Sequence, residues 1–351
     1  SRGRKAVLSA LVASPPRRSV ELPPEAETTL WGLRFRAPLA NAAGMFKKGE
    51  GFRLAARQGA GAYLAGTTTA TPRLGNRRGG VSGPFAPYPR SGAASNWLGL
   101  PNPGHAAVAE RLSRLDRVDG CPVGASVALD PSPEQPLAVR IGELVAGMRR
   151  YEAASVDFLE VNESCPNTET DSEAFAGLYD RLDLIAERFL ARRERPMPVI
   201  AKLSCDTPLE LVPAMVDALV ERGFDGVNFG NTSTAYRLLR LDIHPSERRL
   251  FDRFVRDFGG GLSGRPLAPL SLELVRAASR RVAELQAAEP TLREFHIIRT
   301  GGVETAADLS RSLAAGASLA QWYTGYFERF AHDGHRLYAR LIRDWLRAQR
   351  A

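Results

Sequence analysis

The chain has 351 residues, 44% of them hydrophobic, with a mean hydropathy of -0.21, three cysteines and a formal charge of +8. No run approaches the roughly 20 uninterrupted apolar residues of a spanning helix, and three cysteines without metal spacing argue against a disulfide framework or a zinc site. The arginines are spread over helix faces and are not interleaved with stacking aromatics. The charge therefore reads as a solvated surface and not as a nucleic-acid interface.

Residues 1–27 read as an N-terminal arm, either loosely ordered or with KAVLSALVA forming one short amphipathic helix before a proline-rich stretch. TTLWGLRFRAP (28–38) reads as a small hairpin. From there β-rich runs alternate with helical periodicity. Strands are expected at 38–44, 62–68, 123–129, 156–162, 198–204, 226–231, 295–301 and 319–325. Helices are expected around 49–59, 105–116, 137–153, 172–193, 208–222, 269–287, 304–315 and 334–349, the fourth carrying Phe175, Leu178, Leu182, Ile185 and Phe189 on one stripe.

Eight strand–helix units imply parallel strands with crossover helices. We expect an α/β chain folded as a (β/α)₈ TIM barrel over residues 28–351, with the arm before it and the hairpin closing its bottom. A doubly wound sheet with a second domain is the alternative, but no linker divides the chain. Two long connections, 69–95 and 232–268, read as lids.

In a barrel the chemistry sits at the carboxyl ends of the strands. Polar and glycine-rich motifs cluster there: AAGMFKKGE, GTTTATP, NESCPN, AKLS, NFGNTST, RTGG and WYTG each lie at or just after a strand. RTGGVETAADL (299–309), the WYTG turn and GGGLSGRPL (259–267) converge on the corner where barrels bind phosphate. Asn96, Asn162, Asn167 and Asn231 form a ring of amides suited to a planar ligand with alternating N–H and C=O groups, such as a cyclic ureide. Lys202 lies inside an apolar strand, and Lys47 follows the first strand. Either can supply fixed positive charge where negative charge develops. Cys165 sits between two of the amides, where a thiol of lowered pKa can act as a base. Cys121 and Cys205 have no such setting.

In family order, LANAAGMFKKGE, SNWLGLPNPG, LEVNESCPNT, GGLSGRPL, RTGGVETAADL and AAGASLAQWYTG resemble the dihydroorotate dehydrogenase family over nearly the whole chain. The resemblance implies FMN as cofactor and dihydroorotate as substrate. It makes Cys165 the catalytic base, with Lys47 beside it. Lys47, Asn96, Leu98, Gly99, Leu100, Asn162, Asn167, Asn231 and Thr232 fall on substrate-binding positions. Ala43, Gly44, Gly66, Thr67, Ser126, Asn162, Lys202, Gly261, Gly301, Gly302, Tyr323 and Thr324 fall on cofactor positions, and no metal is implied.

The resemblance is divided between two classes of the family. The cysteine base and the N-x-x-G-L-P-N motif are those of the cytosolic class, in which homodimers are common. Lys47 is placed as in the membrane-associated, quinone-using class. Gly66 stands where the cytosolic class has a lysine, and NTETDSEAF is acidic where the quinone class is basic. A quinone or fumarate is expected as electron acceptor. The setting implied is cytoplasmic, or peripheral on the inner membrane. A related FMN oxidoreductase acting on another dihydropyrimidine or cyclic ureide is the alternative reading.

Overall fold

The computed structural model describes residues 2–132, 134–163 and 177–350. Cys165 and Asn167 lie outside the described residues, as do residues 172–176 of the expected fourth helix. The chain opens with α1 (Arg2–Ala13), whose Leu8, Leu11 and Val12 pack against the core. It then runs along the barrel, held where the Val20 amide donates to Arg57 O at 2.8 Å. The hairpin β1 (Thr28–Leu30) and β2 (Leu33–Phe35) follows.

Eight parallel strands make the barrel sheet: β3 (Leu39–Asn41), β4 (Tyr63–Thr68), and further along the chain Val123–Val127, Phe158–Asn162, Val199–Ser204, Gly226–Asn231, His296–Thr300 and Leu319–Trp322. Consecutive members pair in parallel register round the ring. Between β3 and β4 the ring is joined by a bridge from Phe46 to Ala65. Asn41 helps there, donating to Leu64 O at 2.8 Å and accepting from the Leu64 amide at 3.2 Å. Helices such as Leu137–Ala153, Val212–Glu221 and Ala268–Ala288 lie between the strands, as the alternation predicts. Among the described residues no helix is long and apolar enough to cross a membrane.

Side chains two apart on a strand share a face, so the barrel interior is built in layers. At the bottom Leu64, Phe158, Ile200, Ile298 and Leu319 form an apolar layer sealed by Leu30 and Phe35 of the hairpin. Gly124 belongs to this layer because a Cβ there would stand 2.3 Å from the Phe158 ring. Two residues further along the same strands the layer is polar: Glu160, Lys202, Asn228, Thr300 and Gln321, all buried.

The two long connections fold together over the top. Residues 85–88 and 93–96 pair in an antiparallel hairpin, and Gly261–Gly264 adds a third strand. The sequence reading left 232–268 without structure of its own, but it also carries the helices Tyr236–Leu239 and Arg248–Phe258. The second of these buries Phe251 and Phe254 against Tyr88 and Trp97, a small core apart from the barrel's. A further correction falls at the last strand, which ends at Trp322. Tyr323 is turned out of it and Thr324 opens an unforeseen helix, Thr324–Asp333.

Candidate active site

A cleft opens at the carboxyl ends of the strands under the cap. Of the residues singled out in the sequence, it is lined by Ala43, Gly44, Lys47, Thr67, Asn96, Leu98, Leu100, Asn162, Lys202, Asn231, Thr232, Gly301, Gly302, Tyr323 and Thr324. Gly66, Gly99, Ser126 and Gly261 stand one layer behind. The Gly66 peptide is held between Gly44 and Phe46, its carbonyl accepting from one amide at 2.5 Å and its amide donating to the other carbonyl at 3.0 Å. A Cβ on Gly99 would meet Asn76. Ser126 bonds Thr67 hydroxyl to hydroxyl at 2.9 Å, and Gly261 pairs with Asn96 across the cap sheet.

The floor of the cleft is the polar layer of the barrel. Lys202 Nζ lies 3.3 Å from Glu160 Oε1, both side chains buried. The other carboxylate oxygen accepts from Asn228 at 2.7 Å and from Gln321 at 3.1 Å, and Thr300 donates to Asn228 Oδ1 at 3.0 Å. The ion pair with Lys202 is the polar contact of Glu160 Oε1, which makes no hydrogen bond among the described residues, whereas the other oxygen is doubly bonded. The result is a fixed ammonium facing the cleft with its counter-charge beneath it.

Above it the amides engage one another. Asn162 Oδ1 accepts from Asn231 Nδ2 at 2.9 Å, and Asn231 Oδ1 accepts from the Thr232 amide at 3.0 Å. Asn96 donates to Gly261 O at 3.4 Å, a bond at the long limit. Thr232 Oγ1 is buried without a hydrogen-bond partner among the described residues. A buried hydroxyl in that state takes its partner from outside the described residues, and a ligand atom is one such partner.

At the opposite end the wall is backbone. Ser263, Gly264, Gly301, Gly302, Thr324 and Gly325 line it, and the hydroxyls of Ser263 and Thr324 meet at 2.9 Å. Gly302 has φ +73, and a Cβ on it would fall 2.6 Å from Ala268 Cα. Only glycine fits that approach.

Two cysteines are described, and neither can serve as a base at neutral pH. Burial pushes the Cys121 thiol up to about 11 and the Cys205 thiol up to about 12.

Several residues of the site escaped the sequence reading. Glu160, Asn228, Thr300 and Gln321 lie inside strands, and only a two-residue count from Lys202 round the barrel would have found them. Asn102 was passed over, although its Oδ1 accepts from the Gly104 amide at 2.8 Å and its Nδ2 donates to Leu100 O at 2.8 Å. It thereby fixes the loop that presents Leu98 and Leu100. A second, largely apolar groove, bounded by Pro87, Pro89, Ala93, Ala94 and Phe327, shares Phe85, Tyr323 and Thr324 with the cleft.

Comparison with known proteins accords with this geometry. The sequence profile of the family described as Dihydroorotate dehydrogenase matches residues 25–340. A protein named Dihydroorotate dehydrogenase (quinone) from Parvibaculum lavamentivorans is 31% identical over 328 residues, covering 93% of this chain and 83% of its own. One of the same name from Mycobacteroides abscessus is 32% identical over 316 residues, covering 88% and 80%. In fold, the ligand-free DHODH of Eimeria tenella superposes with a TM-score of 0.78 at 22% identity, covering 99% of this chain and 94% of that one.

Proposed function

The chain belongs to the dihydroorotate dehydrogenase family and is a flavoprotein oxidoreductase acting on the CH–CH bond of dihydroorotate in pyrimidine biosynthesis; within that frame we propose that FMN is its cofactor, Cys165 its base and a quinone its electron acceptor. The residues fit that cofactor. Side-chain amides, the Thr232 hydroxyl and the Lys202 ammonium suit a polar ring system at one end, and the glycine cradle suits a phosphate at the other. FMN bound there would supply the acceptor for a hydride from C6 of the substrate.

The chain's own groups do the rest. Asn96, Asn162, Asn167 and Asn231 hold the ureide and carboxylate edges of dihydroorotate, and Lys47 adds positive charge near Gly44 and Tyr323. Cys165 Sγ removes the C5 proton as the C6 hydride leaves, so the C5–C6 double bond of orotate forms with atoms and electrons balanced. Lys202, held by Glu160, offsets negative charge that develops beside it. Burial raises the Cys121 and Cys205 thiols well above neutral, which is compatible with Cys165 as the thiol for this task.

Quinone is favoured over fumarate because the relatives carry that word in their names and because the apolar groove adjoins the cleft through Phe85 and Tyr323. The observation that carries the reading is the joining of an amide tier, a paired lysine and a glycine cradle in one cleft. Anaerobic addition of dihydroorotate to the purified protein tests it. The yellow absorbance should bleach within the mixing time and return on adding a short-chain ubiquinone. A bound flavin that stays oxidised would refute the substrate, and one that recovers with fumarate alone would refute the acceptor.

A further inference from the structure

Arg299 is out of place on its strand. Counting alternately along His296–Thr300, Ile298 and Thr300 face the barrel interior, whereas Ile297 and Arg299 face the helices. The neighbouring positions in register are Phe229 and Ala320, so the slot is one an aliphatic side chain would fill. Arg299 is nevertheless 1% exposed.

Every partner of its guanidinium is a neutral oxygen. Nε donates to Ser271 Oγ at 3.0 Å and Nη1 to Ser312 Oγ at 2.7 Å and Asp308 O at 3.3 Å. Nη2 donates to Ala268 O at 3.0 Å and Gly301 O at 3.2 Å. It enters no ion pair among the described residues. Asp308, the acidic group that acts on it, spends its carboxylate on the Thr305 cap and on Arg311. Burial pulls the Arg299 guanidinium down to about 10, with Asp308 and Cys205 only partly opposing this and Arg311 and Arg276 adding to it. A buried cation without a counter-ion is costly. A neutral scaffold could have satisfied the same carbonyls without that cost.

The carbonyls it holds explain the choice. Gly301 O also accepts from Ser271 Oγ at 2.9 Å, so this oxygen is turned towards the helices. In a planar trans peptide the N–H points opposite the C=O, which turns the Gly302 amide towards the cleft. No hydrogen bond to that amide occurs among the described residues. Ala268, another of the carbonyls held, opens the helix against which Gly302 packs.

We propose that Arg299 is the positioning residue and buried counter-charge of the phosphate corner, set behind the Gly301–Gly302 peptide so that an anionic phosphate in the cleft completes its charge balance. This rests on the flavin reading above. The geometry does not need the guanidinium to touch the ligand: it acts through the peptide it orients and through a field that low-dielectric surroundings leave unscreened.

FMN and riboflavin share the ring system and differ in the phosphate, so the ratio of their dissociation constants isolates the corner. Titrating both into apoprotein, wild type should prefer FMN, and R299Q should cut that preference on the order of 10-fold or more, while riboflavin affinity moves little. R299K, which keeps the charge, should retain most of the preference. S312D offers an independent variant. It puts a carboxylate where Ser312 Oγ now accepts from Arg299, so it should lower the FMN preference while raising the urea midpoint of the apoprotein. An equal fall in both affinities for R299Q and an unchanged ratio for S312D would reduce Arg299 to a clip and overturn the proposal. Wild type that binds both flavins equally also overturns it. Wild type that binds neither overturns the flavin reading, and this inference with it.

Discussion

On the proposed flavin reading, the two ends of the cleft recognise by different means. At the ring end side chains carry the work: Lys202 over Glu160, Asn162 joined to Asn231, Thr67 joined to Ser126. Charges there are balanced within the protein, since Glu160 already faces Lys202 and takes two amide donors besides. At the phosphate end the wall is glycine backbone, and the charge behind it, Arg299, has no carboxylate of its own. The first end has its charges paired before any ligand arrives, though Thr232 Oγ1 still lacks a partner among the described residues; the second leaves one term of its electrostatics for the ligand to supply. Substitutions should therefore act differently at the two ends. Damage at the ring end should lower affinity for FMN and riboflavin alike, and damage at the phosphate end should separate them.

The largest effect should come from Lys202→Met. Glu160 would be left buried with no cation, which costs about 3–5 kcal/mol when a buried pair is broken from one side. Urea unfolding should show that loss in the apoprotein. Adding Glu160→Gln to it should recover more than 1 kcal/mol or so, the size of coupling expected for groups in contact. Additive losses would mean that the two charges are not coupled, and the ring end would then not be self-balanced.

How much of this could be read from the residues follows the same division. The motifs at the strand ends marked the barrel mouth, because amides, lysines and paired glycines in sequence-local clusters are visible to inspection. Most of the fifteen lining residues foreseen lie in those clusters, whereas Leu98 and Leu100 came only from the family resemblance. What lay within strands did not show. Glu160 sits between Leu159 and Val161, and Arg299 between Ile298 and Thr300, and each is meaningful only once register sets which face it occupies. The cap was legible only as two long loops. Its helix Arg248–Phe258 buries Phe251 and Phe254 on Tyr88, a partner about 160 residues away in the chain that no local pattern announces. The helix opening at Thr324 was hidden by the strand-like run before it.

Acid should separate the two ends next. Behind Thr67, the Thr68 hydroxyl bonds both His105 Nδ1 and the Tyr151 hydroxyl, each at 2.8 Å, in a buried cluster. Burial pulls the His105 imidazole down to about 4, with Asp130 opposing this and Arg150 adding to it. Its folded value is thus below the unfolded value of about 6.5, so between the two the unfolded chain binds more protons and stability falls as pH falls. The loss is complete near pH 4 and amounts to about 3 kcal/mol. His105→Asn keeps a polar atom near Thr68 without the titration, so its urea midpoint should decline less between pH 7 and pH 4 than that of wild type. Parallel declines would show that His105 contributes nothing to acid sensitivity.

The smallest effect expected is at Gly302, and it bears most directly on the comparison. Gly302→Ala must hold a side chain at φ +73 and push a Cβ against Ala268, a strain of about 1–3 kcal/mol. Relief requires the Gly301–Gly302 peptide to rotate or the start of the helix Ala268–Ala288 to retreat. Either movement takes the Gly302 amide away from the cleft and loosens Gly301 O from Arg299. The variant should accordingly fold, lose FMN affinity, and bind riboflavin nearly as wild type does. Lys202→Met should depress both. If Gly302→Ala instead lowers the two affinities together, the glycine cradle supports the whole cleft and not the phosphate, and the division between a side-chain end and a backbone end fails at the point where it is drawn most sharply.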